Sequence, residues 1–246
     1  MDRRVVILGG LGDGSVVAEV LLNGRLAGSE NQLIGFLNDE MSRGDTIYDF
    51  PVLGHLDDWR ELDSDISFVW ALQRVGLMPE RVQRFEGLAI PLHRFVAVRH
   101  PQSYVASTAE IGPGSFIASF ATVQPMARIG AFAGLRAGVS IGHHAQVGAH
   151  AYVGPNSTMC GYSRLGTGAC LGPNAVIIEH KGLGEFAIAG IGAAVTKDVP
   201  PHGIVMGNPA RSVRVMRAPV VVYTKGQKTP AITEEGIGEM VHGERS

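Results

Sequence analysis

Residues 121–141 read ATVQPMARIGAFAGLRAGVSI, and within them Val123, Ile129, Leu135 and Ile141 stand six apart. The same spacing runs without a miss from Val105, Ile111 and Ile117 through Val147, Val153, Met159, Leu165, Leu171 and Ile177 to Leu183. A small residue such as Ala121, Ala127, Ala133, Ala145 or Ala151 sits two places before most of these aliphatics. A six-residue period held this long specifies a parallel β-helix. Each unit supplies one short strand and one turn, the aliphatic points into a narrow core, and three units close a coil whose backbone groups pair with the coils above and below. Glu179-His180-Lys181-Gly182 is expected to disturb the pattern, and Val199-Pro200-Pro201 to end it.

The composition agrees with a repeat. Of 246 residues 33 are glycine and only 18% are charged, glycine-rich and charge-poor for an ordinary globular domain. A net charge of −2 offers no basic field for a polyanion, which argues against nucleic acid and anionic membrane as partners. No apolar run is long enough for a spanning helix, and the run after Met1-Asp2-Arg3-Arg4 is too short for a signal peptide, so a cytoplasmic location is expected. Cys160 and Cys170 lie in no metal-finger spacing and read as small buried residues.

Ahead of the repeat, Val5-Val6-Ile7-Leu8 runs into Gly9-Gly10-Leu11-Gly12-Asp13-Gly14, and Val16, Val17, Val20 and Leu21 then recur at helical spacing. A second strand is expected over Gln32–Leu37, ending at Asn38-Asp39-Glu40, and a third over Ile66–Ala71 before a helix opening near Pro79. Alternating strands and helices imply a Rossmann-like parallel sheet, with the glycine loop and the Asn38-Asp39 end facing one crevice. Glycine admits a phosphate close to the backbone, and the helix N-terminus offers it free N–H groups. The loop spacing is not that of the dinucleotide fingerprint, so another nucleotide-type ligand, or a purely structural turn, fits better than nicotinamide. Asp57, Asp58 and Trp59 suit a helix start. The expected division is an α/β domain over 1–100, an all-β helix over 101–217 and a tail over 218–246.

Over residues 4 to about 216 the chain resembles the left-handed β-helix acyltransferases of the sialic-acid O-acetyltransferase and nucleotide-sugar N-acetyltransferase type. The resemblance rests on the Gly9–Gly14 loop, on Phe36-Leu37-Asn38-Asp39 with Pro51-Val52-Leu53-Gly54, on the repeat, and on its ending. That ending is Val195-Thr196-Lys197-Asp198-Val199-Pro200 with Gly207-Asn208-Pro209-Ala210-Arg211. The family implies left-handed coils, a homotrimer with sites between subunits, and acetyl-CoA as co-substrate without a metal. Acyl transfer from a thioester needs a base for the attacking group and a donor for the oxyanion. His143, His144 and His150 lie on turns of the repeat; the family's base falls on His143, and the glycine whose amide holds the thioester oxygen falls on Gly161, 18 residues on.

His144 stands where the family carries an acid beside the base, and Tyr152 where a histidine often touches the CoA thiol. Pro173 and Ile191 are the further cofactor-side positions. Leu11, Gly12, Asp13, Asn38 and Asp39 are those implied to face a nucleotide sugar, with Leu72-Gln73 in place of a glycine turn. The implied reaction is direct attack on acetyl-CoA by a nucleotide-linked amino sugar, with no acyl-enzyme. O-acetylation of a sialic-acid-type sugar uses the same base. A non-catalytic β-helix binding protein, suggested by His144 in place of the acid, is another reading. A gamma-type carbonic anhydrase site would need three zinc ligands; His144 and His180 lie two coils apart, but Glu185 stands where a third histidine is wanted.

Overall fold

A computed structural model describes residues 2–215; the tail beyond, including the apolar Val220-Val221-Val222, lies outside the described residues. The chain opens with β1 (Arg3–Leu8), α1 (Asp13–Leu26), β2 (Asn31–Leu37), β3 (Thr46–Ile47), β4 (Phe50–Gly54), β5 (Ser67–Trp70) and α2 (Met78–Leu88). The strands form one sheet in the order β3-β4-β2-β1-β5, with β4, β2, β1 and β5 parallel and β3 antiparallel at the edge. The alternation of strand and helix predicts β1, α1, β2, β5 and α2. It passes over β3 and β4, where Pro51 reads against a strand. Asp57 and Asp58 begin a short 3-10 helix, Leu56–Glu61, and the Asp58 carboxylate accepts the His55 N–H at 2.9 Å.

From Val98 the chain winds into a parallel β-helix of two-residue strands on three faces. The second residue of each strand is the aliphatic of the six-residue period, and all from Val123 to Leu183 are buried in one continuous core. Strands 18 residues apart pair in register, Ser140 with Thr158 and Ile141 with Met159. The expected disturbance at Glu179–Gly182 is absent. Gly182 pairs with Arg164, and the coils continue through Ile188–Ala189 and Ala194–Val195. Lys181 stands where a small residue is usual, but its ammonium leans to 3.7 Å from the Asp198 carboxylate, whose other oxygen accepts the Gly182 N–H at 2.9 Å.

The third residue after each inward aliphatic has φ between +53° and +70°, without exception from Gly114 to Gly192. A left-handed residue at this place is what a type II turn requires, with proline or an unpaired N–H before it. Pro113, Pro125, Pro155 and Pro173 fill that preceding place. Bulky residues in the left-handed region cost energy, and here they stack on one another. His144, Tyr162 and His180 form a column with ring centroids 4.7 and 5.0 Å apart, and Phe132 stacks on His150 at 4.8 Å.

The outward position of each strand decides which face is covered. On one face these residues are Glu110, Arg128, Gln146 and Arg164; on another they are Phe116, Gly134, Tyr152, Cys170 and Ile188. The second set carries the N-terminal unit. Phe116 joins the core of β1 and α1, and Cys170 and Ile188 join Met78 and Val82 of α2. Buried Gln73 donates to the carbonyls of Phe132 and Ala151 at 2.9 and 3.0 Å, fastening the end of β5 to two coils. No described helix is long and apolar enough to cross a membrane.

Candidate active site

His143 and His144 are the two central residues of a turn closed by the Ala145 N–H on the Gly142 carbonyl at 3.2 Å. Both side chains are exposed. Their Nδ1 atoms are 3.3 Å apart, so one ring donates to the other and each keeps its Nε2 free of that bond. The His143 ring reaches across one coil and lies over Gly161, where an added Cβ would stand 2.6 Å from Cε1 and 2.8 Å from Nε2. Gly161 holds the turn place that proline fills elsewhere, and its N–H donates to nothing among the described residues. A free imidazole nitrogen and a free amide therefore meet at one corner, the His143 ring exposed and Gly161 buried beneath it.

Tyr162 completes this corner. Its ring stacks on His144 at an interplanar angle of 20° and meets His143 edge-on at 5.2 Å. Nothing within a single repeat unit marks Tyr162 as a site residue; its signal is the spacing, for Tyr162 and His180 follow His144 at intervals of 18. Tyr162 lies between the rings of His144 and His180, so the two histidines that the disfavoured carbonic-anhydrase reading would need as zinc ligands instead sandwich an aromatic ring.

The other predicted residues fall elsewhere. Pro173 and Ile191 sit one coil apart on turns that follow strands of the covered face, and Ile191 is 78% exposed. Tyr152 is half-buried on that covered face beneath the guanidinium of Arg136, 4.8 Å from the ring centroid. Burial raises its phenol above the usual range, opposed by the Arg136 charge. His150, expected on a turn open to solvent, is instead buried against Trp70, Phe85 and Phe132, and burial lowers its pKa to about 4. The stretch near it reads as a solvated turn because two of its three covering rings, Trp70 and Phe85, come from more than 50 positions upstream. Cys170 is buried with its thiol pushed up to about 12, whereas Cys160 is only half-buried.

In the N-terminal unit the glycine loop meets the end of β2. A side chain at Gly10 would collide with the Asn38 amide nitrogen, and the Asn38 Oδ1 accepts the Glu40 N–H at 2.6 Å. Asp39 is engaged within the unit, accepting the Leu56 N–H at 2.9 Å and pairing with Arg84 at 3.1 Å. Gly12, with φ +90°, precedes α1, and Leu11 is 78% exposed at the mouth of the loop. Asp13, first residue of α1, points to Arg136 of the β-helix.

No family model and no curated protein matches the chain; the likeness is to solved structures. The acetyltransferase domain of PglB from Neisseria gonorrhoeae FA1090, in complex with acetyl coenzyme A, superposes with a TM-score of 0.75 at 24% identity, over 87% of this chain and all of that one. A mutant of perosamine N-acetyltransferase from Caulobacter crescentus, in complex with CoA and GDP-perosamine, gives 0.72 at 25% identity over 85% and 95%. The chain has the fold of the left-handed β-helix sugar acetyltransferases. WeeI from Acinetobacter baumannii AYE shares it at 0.64 and 25% identity, over 85% of this chain and all of that one. In this acetyltransferase fold the likeness spans the N-terminal sheet as well as the coils.

Proposed function

We propose that the protein is an acetyl-CoA-dependent N-acetyltransferase acting on a nucleotide-linked amino sugar, with His143 as general base and the Gly161 amide as oxyanion donor. The observation that carries this reading is the His143 imidazole lying over Gly161, whose N–H is unengaged among the described residues. The acceptor amine gives its proton to Nε2 of His143 as its nitrogen bonds to the thioester carbon. The developing oxyanion accepts a hydrogen bond from the Gly161 N–H, and collapse expels the CoA thiolate, which takes the proton held on His143. For Nε2 to accept, Nδ1 must carry the hydrogen, and the 3.3 Å contact gives it an acceptor in His144 Nδ1. His144 thus orients the base in place of the family's acid.

The Rossmann-like α/β unit would take the nucleotide in the crevice bordered by Leu11, Gly12, Asp13, Asn38 and Asp39, in agreement with the GDP-perosamine held by one neighbour. Pro173 and Ile191 would offer apolar surface to acetyl-CoA, with Tyr152 as a further cofactor-side residue. These groups lie on different edges of one chain, a distribution that favours a homotrimer whose subunits complete each other's sites.

The test is thiol release from acetyl-CoA against UDP-, GDP- and dTDP-linked amino sugars, their hydroxyl counterparts and sialic acid. Turnover with one amino sugar nucleotide is expected, and His143→Ala should lower its kcat by about 10² to 10⁴ with acetyl-CoA affinity kept. Unchanged kcat in that variant removes His143 from the mechanism, and turnover only with hydroxyl acceptors replaces N- by O-acetylation.

A further inference from the structure

Arg136 is 5% exposed, and its guanidinium lies between the rings of Phe116 and Tyr152, 4.9 and 4.8 Å from their centroids. A buried cation ordinarily has its N–H groups taken up by acceptors. Here Nε and Nη2 donate to nothing among the described residues. Nη2 comes within 2.7 Å of the Asp13 carboxylate, but off the line of an N–H, and that Asp13 oxygen is equally without a hydrogen bond. Nε and Nη2 form one edge of the guanidinium, the edge that grips two oxygens of a single anion side by side. The aromatic rings on either side fix its plane, so the edge is held ready.

That edge is turned toward the first residue of α1, a helix of 14 residues that follows the Gly9–Gly12 loop. The amides of such a terminus favour anions, and Gly12 has open space where a side chain would be. The Asp13 side chain is partly exposed, at 24%, whereas that of Arg136 is at 6%; the carboxylate is the partner free to leave. We propose that Arg136 is a specificity-determining residue that takes a phosphate of the acceptor on its Nε–Nη2 edge, with Asp13 as the counter-ion displaced on binding. The proposal rests on the nucleotide-sugar reading above and adds a coil residue to the phosphate site of the N-terminal unit. Lysine presents a single point charge and cannot replace the paired edge.

Binding of UDP, GDP and inorganic pyrophosphate to the full chain, measured by calorimetry without acetyl-CoA, tests this, with glucuronate as a carboxylate probe. Asp13→Asn removes the competing charge and should tighten binding of the preferred diphosphate several-fold. Arg136→Gln and Arg136→Lys should weaken it by about tenfold or more, as expected for loss of a paired, charge-assisted contact. Acetyl-CoA binding by the same preparations reports whether each variant is folded. Should Arg136→Gln fold poorly, the Asp13→Asn result decides alone. Diphosphate affinity unchanged in Asp13→Asn, or in a folded Arg136 variant, overturns the proposal while the nucleotide-sugar reading stands. Binding of glucuronate alone, weakened in the Arg136 variants, overturns the phosphate assignment. Wild-type protein that binds no diphosphate but acetylates a free sugar overturns both.

Discussion

The imidazole of His143 rests on the bare α-carbon of Gly161, one coil away, with 2.6 Å between its Cε1 and the place a methyl would occupy. A side chain at Gly161 therefore moves the base before it touches the core. Gly161→Ala should fold with a Tm near that of the parent and lose about 10- to 100-fold in kcat, the scale expected when a catalytic group is displaced by about an ångström. Thermal melts and steady-state kinetics check both parts; a fully active variant removes the constraint.

His144 carries two loads, the contact to His143 Nδ1 and a turn with φ of +59°. Asparagine tolerates the left-handed region and offers an oxygen to Nδ1–H, whereas alanine offers nothing. His144→Ala should lower kcat by about tenfold with little change in KM, and His144→Asn should recover most of the loss. Equal losses in both variants would mean that His144 acts through its ring stack on Tyr162 alone.

Gln73 and Gly134 test the joint between the two units. Gln73→Ala leaves the Phe132 carbonyl without a donor among the described residues, a loss of about 1–3 kcal/mol. Gly134→Ala places a methyl against the Gln73 amide oxygen and the Phe116 ring, and should cost a similar amount, about 1–3 kcal/mol. Because both changes act on one contact, the double variant should lose less than the two single losses together, as urea unfolding would show. Strict additivity would place the strain elsewhere.

His150 makes stability depend on pH. Its pKa is about 4 in the folded chain, against about 6.5 when exposed. Between these values the unfolded chain binds a proton that the folded one refuses. Its contribution is complete above the exposed value and is lost as pH falls toward about 4, to the extent of roughly 3 kcal/mol. Unfolding free energies from pH 7.5 to 4.5 should slope downward in the parent and less steeply in His150→Phe; parallel slopes would show that His150 takes up its proton without resistance.

The six-residue period makes the coils legible because every inward position repeats the same requirement, and the structure places each expected aliphatic on the second residue of a strand. The sheet strands β1, β2 and β5 are legible for a similar reason, being short β-branched or aromatic runs that stop at polar or glycine residues. What escapes is whatever depends on the packing of one unit against the other. His150 and Tyr152 look like surface residues until Trp70, Phe85 and Arg136 cover them, although apolar residues recurring at outward positions 116, 152, 170 and 188 mark the face. The ring column at His144, Tyr162 and His180 escapes because a period of 18 is invisible in any single unit. The Asp13–Arg136 contact joins residues 123 positions apart that no local pattern links.

The in-register pairing of strands 18 residues apart makes length a counted quantity along this rod. A whole coil, inserted or removed, slides everything beyond it by one strand spacing, about 4.8 Å, and restores each face and turn to its former bearing. Any other increment rotates the faces that follow. The seat of the N-terminal unit and the corner holding His143 are thereby geared together, and a chain of this kind changes the distance between two sites only in whole teeth.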